Sequence, residues 1–259
     1  MLYVAVRAAR KAGDMIVRAF DERDDLKVQQ KSDRDYVTEI DQKAESLILR
    51  EITKHYPDHG IVAEEQGERV NPGASMQWYV DPLDGTSNFI HGYPHFAISI
   101  SAWRDGKPFL AVVHDPIRDE TFEAKNGGGA FLNRRRLRVS GEKRLDHALF
   151  ASGIPSYQRD TMDVFQQRMN VCMSAMDGYR RGGSAALDLA YVAAGRLDVY
   201  WEAGLKPWDI AAGYLLVQEA GGIATALDGS KLDLEKGDVL AGNPALHPQV
   251  IKLLKVGKA

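Results

Sequence analysis

The stretch Trp78-Tyr79-Val80-Asp81-Pro82-Leu83-Asp84-Gly85-Thr86-Ser87-Asn88-Phe89 constrains the fold more than any other segment. An apolar strand there runs straight into two carboxylates flanking a proline, followed by a glycine and two hydroxyls. Pro82 has no N–H to donate, so strand pairing is expected to stop at it. A turn through Pro82 and Leu83 can aim Asp81 and Asp84 at one point. Two carboxylates that close need a cation or a proton to offset their repulsion. Hard oxygen donors select Mg²⁺ over Zn²⁺. Gly85-Thr86-Ser87-Asn88 can then open a helix whose free N–H groups and positive dipole end hold an oxyanion. The same residues also read as a tight turn with a helix cap, and the motif alone leaves both readings open.

Further acids end other apolar segments. Glu64 and Glu65 follow Gly60-Ile61-Val62-Ala63, and Asp209 lies in Lys206-Pro207-Trp208-Asp209-Ile210-Ala211-Ala212-Gly213. Singly, Glu64 reads as a strand-end charge and Asp209 as a helix-start acid; together with Asp81 and Asp84 they point to a shared cation. With 33 Lys and Arg against 36 Asp and Glu, the net charge of -3 creates no global field toward nucleic acid or an anionic membrane. The single cysteine, Cys172, excludes an internal disulfide and a thiolate metal cluster, and its neighbours Met169, Val171, Met173 and Met176 suggest a thiol packed on a helix. Arg7, Arg10 and Lys11 interrupt the N-terminal apolar pattern, so neither a signal peptide nor a spanning helix is expected, and the cytoplasm is the expected compartment. The seven histidines lack metal-ligand spacing, His91 and His95 reading as loop and strand-start residues. No Gly-x-x-x-x-Gly-Lys loop occurs, which removes kinase and dehydrogenase readings.

Helical spacing over 2–20 and 38–56 predicts two long helices separated by a polar loop from Gln29 to Asp35, with Thr38 and Asp41 as a capping pair. From His95 to Leu132, β-rich segments broken by Asp105-Gly106, Asp115-Pro116 and Asn126-Gly127-Gly128-Gly129 predict an antiparallel meander. Beyond about residue 145, strand-like runs at 148–151, 197–201, 222–226 and 238–241 alternate with helical runs at 160–177, 184–194, 208–220 and 245–254. The reading is an α/β (α+β) chain in two halves, 1–145 carrying the antiparallel sheet and the acidic motifs and 146–259 completing the site, as one catalytic unit.

Five motifs in order, Asp35-Tyr36-Val37-Thr38-Glu39-Ile40-Asp41, Ile61-Val62-Ala63-Glu64-Glu65, the Asp81–Phe89 run, Gly183-Ser184-Ala185-Ala186 and Trp208–Gly213, make the chain resemble the inositol monophosphatase family nearly end to end, closest to its bacterial SuhB type. The resemblance implies a layered αβαβα sandwich, usually a homodimer, and Mg²⁺-dependent hydrolysis of a small phosphorylated polyol such as myo-inositol monophosphate. It implies two or three Mg²⁺ per site held by Glu64, Asp81, Asp84, Asp209 and the Leu83 carbonyl. Asp41 and Thr86, with Glu64, would serve the attacking water. Asp84, Gly85, Thr86, Gly183, Ser184, Ala185, Glu202 and Asp209 would line the substrate. Ser87 stands where threonine is more common, and Lys206-Pro207 differs from animal members beside the sugar pocket, which leaves the substrate open to fructose bisphosphate or another sugar or nucleotide phosphate. SuhB-type proteins also imply a partnership with the transcription antitermination machinery, RNA polymerase and the Nus factors. The basic run Arg134-Arg135-Arg136-Leu137-Arg138 is the candidate contact for it, although so short a run also reads as a solvated β-turn.

Overall fold

The computed structural model describes residues 1–22, 28–32, 35–65, 69–154 and 161–256. Helix α1 (Leu2–Asp21) buries Val4, Ala5, Ala8, Ala9, Ala12 and Ile16 along one stripe, and α2 (Glu39–His55) buries Ile40, Ala44, Ile48 and Ile52. Small alanines on α1 let the two helices lie side by side over one face of a large sheet. That sheet has eight strands, and its meander runs through β5 (Met76–Asp84), β6 (Ala97–Arg104), β7 (Lys107–Asp115), β8 (Glu120–Lys125), β9 (Gly129–Leu132) and β10 (Arg135–Arg136). Beyond β5 lie β3 (Gly60–Ala63), parallel to it, and the short antiparallel β4 (Arg69–Val70) at the edge. Alternation along β5 sends Trp78 to the α2 side, against Tyr56 and His59, while Tyr79 meets Trp103 edge-on and Trp103 stacks on Tyr214.

Tyr214 belongs to α6 (Pro207–Glu219), which with α5 (Ala185–Ala193) forms the middle layer. Both helices are buried nearly all round, as a layer between two sheets must be. The second sheet has the order β12 (Gly178–Arg180), β11 (Leu149–Ser152), β13 (Val199–Glu202), β15 (Val239–Gly242), β14 (Ile223–Thr225), parallel across its first three strands and antiparallel across the rest. Its outer face packs Phe150, Val199, Trp201 and Leu240 against Met169 and Cys172 of α4 (Met162–Ala175) and Val250 and Leu254 of α7 (His247–Val256). The result is the expected αβαβα sandwich. Among the described residues no helix is long and apolar enough to cross a membrane.

The structure corrects several expectations. The polar stretch from Gln29 to Asp35 is not a loop where it is described: Val28–Ser32 (β1) and Asp35–Thr38 (β2) pair as an antiparallel hairpin, with residues 33–34 outside the described residues. Backbone pairing does not require apolar side chains, so hydrophobic periodicity could not find it. Pairing also continues past Pro82. Asp81 faces Ser99 and Asp84 faces Ala97, three steps against two, so Pro82 sits in a bulge where no amide is demanded of it. The helical run expected over 160–177 is α4, with residue 160 outside the described residues, and β12 follows where no strand was expected. The capping pair holds, because Thr38 and Asp41 form a reciprocal box at the start of α2. Arg134 and Asn133 take positive φ in an exposed turn from β9 into β10, as a solvated β-turn requires. Cys172 is buried, and burial pushes its thiol up to about 12.

In the middle layer a Cβ on Gly213 of α6 would lie 2.4 Å from the Leu189 Cβ of α5, so the two helices approach at a distance only glycine permits. Gly213→Val is therefore expected to force overpacking of about 1–3 kcal/mol. Chemical denaturation checks this: the midpoint should fall, and an unchanged midpoint would mean that the helices part without cost.

Candidate functional site

The acids named from the sequence gather around the C-terminal end of β5, and the register of the strands explains how. Because β3 runs parallel to β5 with Ala63 opposite Val80, the next residue, Glu64, comes level with Asp81, its amide donating to the Val80 carbonyl at 3.2 Å. On the other side Asp81 pairs with Ser99, whose hydroxyl donates to the Trp208 carbonyl at 3.0 Å. That bond pins the start of α6, so Asp209, in its first turn, faces the same point. Asp209 is oriented by the Lys206 amide, which donates to its Oδ2 at 2.7 Å. Asp81 is oriented by the Leu83 amide at 2.9 Å, across the bulge.

Asp84 is held from the middle layer. Its Oδ2 accepts from the Ser184 hydroxyl at 2.6 Å and the Ala186 amide at 2.7 Å, placing a carboxylate at the N-terminus of α5. Ser184 is also the N-cap of α5, accepting from the Leu187 amide at 3.3 Å. A third connection comes from α2. Thr86, first residue of the short helix α3 (Thr86–Ile90), donates its hydroxyl to Asp41 Oδ1 at 2.9 Å and shares it with the Leu83 carbonyl at 3.1 Å. Asp41 Oδ2 meanwhile accepts from the Thr38 amide at 2.8 Å and the Thr38 hydroxyl at 2.5 Å. The capping box thus does double duty, leaving one oxygen of its acid for Thr86.

Gly85 precedes α3 with φ +103°, and a Cβ there would lie 3.1 Å from the His95 carbonyl and 3.3 Å from that of Gly183. The first-turn N–H groups of α3 have no intrahelical acceptors, which suits them to an anion. Asn88 stitches this turn to its surroundings, its Nδ2 donating to the carbonyls of His95 at 2.6 Å and Gly182 at 2.9 Å. Gly183 and Ala185 therefore stand beside the Gly85–Thr86 turn. Glu202, at the end of β13, accepts from the Tyr200 hydroxyl at 2.7 Å.

The electrostatics follow from burial. Asp81 is driven well above the ordinary carboxylate range, first by burial and then by the charges of Glu64, Asp84 and Asp209. Asp209 is likewise raised by burial and by Asp84 and Glu64. Burial pushes Asp84 up to about 6, against the lowering effect of Ser184, Ala186 and Arg181. Glu202 rises to about 7 on burial, opposed by Tyr200 and Arg181. Asp41 is raised by burial in spite of the hydrogen bonds from Thr38 and Thr86. Such a group holds protons unless a cation replaces them.

The donor set fits a hard divalent cation, being carboxylates and a carbonyl with no thiolate or imidazole among them. Among the described residues no three or more His, Cys, Asp or Glu side chains stand arranged so as to hold a metal ion. Asp84 and Asp209 each commit one oxygen to protein donors, leaving the other oxygen to turn toward a cation. Three neighbouring groups had no signal among the motifs. Asp188 of α5 is buried and raised well above its ordinary value by burial and by Glu202 and Asp84; Arg181 is the cation whose charge opposes this rise at Asp84, Asp188 and Glu202. Glu45 of α2 is buried and accepts from the Glu65 amide at 2.7 Å. Its position one turn after Asp41, on an otherwise apolar stripe, was the clue available in the sequence.

The inositol monophosphatase family matches residues 1–257 of the chain. A Pseudomonas aeruginosa protein described as Nus factor SuhB is 51% identical over 247 residues, covering 94% of this chain and 91% of that protein. An inositol-1-monophosphatase of Mesorhizobium japonicum is 45% identical over 255 residues, covering 98% and 96%. The crystal structure of the extragenic suppressor protein suhB from Bartonella henselae superposes with a TM-score of 0.94 at 42% identity, covering 98% of this chain and 97% of that one. The chain belongs to the inositol monophosphatase family and is a phosphoric monoester hydrolase of that type.

Proposed function

We propose that the chain hydrolyses small phosphate monoesters, myo-inositol monophosphate foremost, with Mg²⁺ held by Glu64, Asp81, Asp84, Asp209 and the Leu83 carbonyl. The observation that carries this reading is the set of interacting carboxylates, Asp81 buried and Glu64, Asp84 and Asp209 half-buried, beside the first turn of α3. Bound there, Mg²⁺ would neutralise phosphate oxygens, raise the acidity of water and stabilise the leaving alkoxide. The amides of Gly85 and Thr86 would receive the phosphate. The Thr86 hydroxyl donates a hydrogen bond to Asp41, so its oxygen keeps lone pairs to accept from, and thereby orient, a water molecule; the raised affinity of Asp41 for protons suits it to take one relayed through Thr86. Glu202 would accept from substrate hydroxyls, with Ser184 and the Gly183–Ala185 backbone lining the same side. We infer that the two sheets act as one catalytic unit, because Asp84 on the first is held by Ser184 and Ala186 between them.

A second reading, as a partner of RNA polymerase and the Nus factors, is supported by relatives described as Nus factor SuhB and by the exposed Arg134, Arg135, Arg136 and Arg138. Capture from a bacterial lysate should recover RNA polymerase subunits with the native chain and lose them with an Arg134/Arg135/Arg136 charge reversal. Equal recovery by both would exclude the patch.

Phosphate release from inositol monophosphate, titrated with Mg²⁺, tests the first reading. Asp84→Asn should fold normally yet lose more than about 100-fold in activity, since removing a ligand costs at least what removing a ligand's support does. Thr86→Ala should lower kcat by about 100-fold while leaving half-saturating Mg²⁺ near its original value. Native turnover in the first variant, or a matching shift in metal dependence in the second, contradicts the assignment.

Stability should depend on pH through the same acids. Asp84 moves from 3.8 to about 6 on folding, and Asp81 and Asp209 move in the same direction. The folded chain therefore binds protons more tightly, so these groups cost nothing below the unfolded value and destabilise as pH rises through the folded one. In chelator the melting temperature should fall as pH rises from about 4 through about 6 with Asp84, and further above that as Asp81 and Asp209 ionise, and Mg²⁺ should raise it more at the upper end. A metal effect independent of pH in thermal melts would refute the electrostatic account.

A further inference from the structure

A second polar cavity lies on the far side of the five-stranded sheet, between α4, α7 and the loop that joins β14 to β15. It measures about 170 Å³ and is lined by Arg168, Lys231, Lys236 and Lys255 together with Asp228, Asp233 and Asp238. None of the carboxylate-site residues lines it. What distinguishes it is the state of its cations. Among the described residues, Arg168, Lys231, Lys236 and Lys255 make no ion pair with a carboxylate, although each faces a cavity that holds three.

The aspartates are occupied elsewhere: Asp228 Oδ1 accepts from the Ser230 amide at 2.9 Å, Asp233 Oδ1 from the Glu235 amide at 3.0 Å and Asp238 Oδ1 from the Gly204 amide at 3.0 Å. These bonds shape the loop and turn the carboxylates into structural acceptors. Arg168 is the most telling member, because its Nε is buried without an acceptor. A buried donor left unpaired keeps the guanidinium's charge uncompensated by the protein, and a guanidinium lining a cavity is suited to oxyanions in particular. Four cations against three anions leave a positive balance, and the volume admits one tetrahedral oxyanion with a few waters.

We propose that this cavity is a binding site for a small oxyanion of the phosphate class, separate from the carboxylate site and carried by Arg168, Lys231, Lys236 and Lys255. The contacts required are those of the Arg168 guanidinium and three ammonium groups closing on one set of phosphoryl oxygens. The proposal is independent of the hydrolytic reading, since nothing in it passes through the carboxylates.

Isothermal titration of the full chain with inorganic phosphate, in chelator so that no metal draws phosphate to the acidic site, tests it. The native chain should show one saturable site, retained within about twofold in Asp84→Asn and weakened about tenfold or more in Arg168→Gln, as loss of a charge-assisted hydrogen bond predicts. Lys231→Gln/Lys236→Gln, at exposed positions that the core does not depend on, should weaken it comparably and serves where Arg168→Gln perturbs folding. Glycerol 3-phosphate in a parallel arm separates free phosphate from a phosphate ester as the source, and binding of either with the same variant dependence supports the site. Absence of saturable binding of both, or binding that survives the Arg168 and lysine variants, or binding lost in Asp84→Asn, overturns it.

Discussion

Carboxylates drawn together out of water repel one another, and a fold that assembles several of them must supply the holding energy from elsewhere. Here the holding is done by backbone. Glu64 is fixed by the parallel register of β3 on β5, Asp81 by the bulge at Pro82, Asp209 by the Lys206 amide and the Ser99–Trp208 bond, and Asp84 by the first turn of α5. Among the described residues no cationic side chain makes an ion pair with Asp81, Asp84 or Asp209; Arg181 acts on Asp84 only through its charge. The repulsion is therefore relieved by bound protons rather than by cationic side chains, and a divalent cation can take the place of those protons.

The layered order explains why the site lies where it does. The eight-stranded sheet delivers the ends of β3 and β5, and the middle helices deliver the starts of α5 and α6, where unpaired amides favour negative charge. A sandwich in which helices lie between two sheets brings strand ends and helix starts to a common seam. Gly213 permits the two helices of that middle layer to pack closely side by side, and Asn88 closes the seam by donating to carbonyls on both sides of it. Structural and chemical demands meet in single residues: Ser184 caps a helix and grips Asp84, and Asp41 completes a capping box and receives Thr86.

Much of this could be read from the residues because apolar periodicity reports burial directly. Helices α1 and α2, the meander from β6 to β9 and the alternation after residue 145 all carry that signal, and the acids stand out because each ends an apolar run. What escaped has a common cause. The β1–β2 hairpin is written in polar residues, and β12 is three residues long, so neither shows a period. Pro82 was expected to stop pairing because a proline lacks a donor, but a bulge removes the demand for one, and only the register of the neighbouring strand reveals it. Roles for the individual acids are proposed only through resemblance, whereas spacing alone left each as an ordinary cap or strand end.

Asp188 and Glu45 mark the limit of motif reading in a different way. Both are acids buried on helices that the sequence shows as apolar, and neither belongs to a run of chemistry-bearing residues. An isolated buried carboxylate is costly unless the surroundings repay it. Glu45 is repaid by the Glu65 amide, which fixes the segment carrying Glu64. Asp188 shares its burial with Glu202 and Asp84, beneath the charge of Arg181. An acid on an apolar helical stripe is thus a sign that the helix faces something polar across the core, and in this chain both such acids lie behind the same cluster.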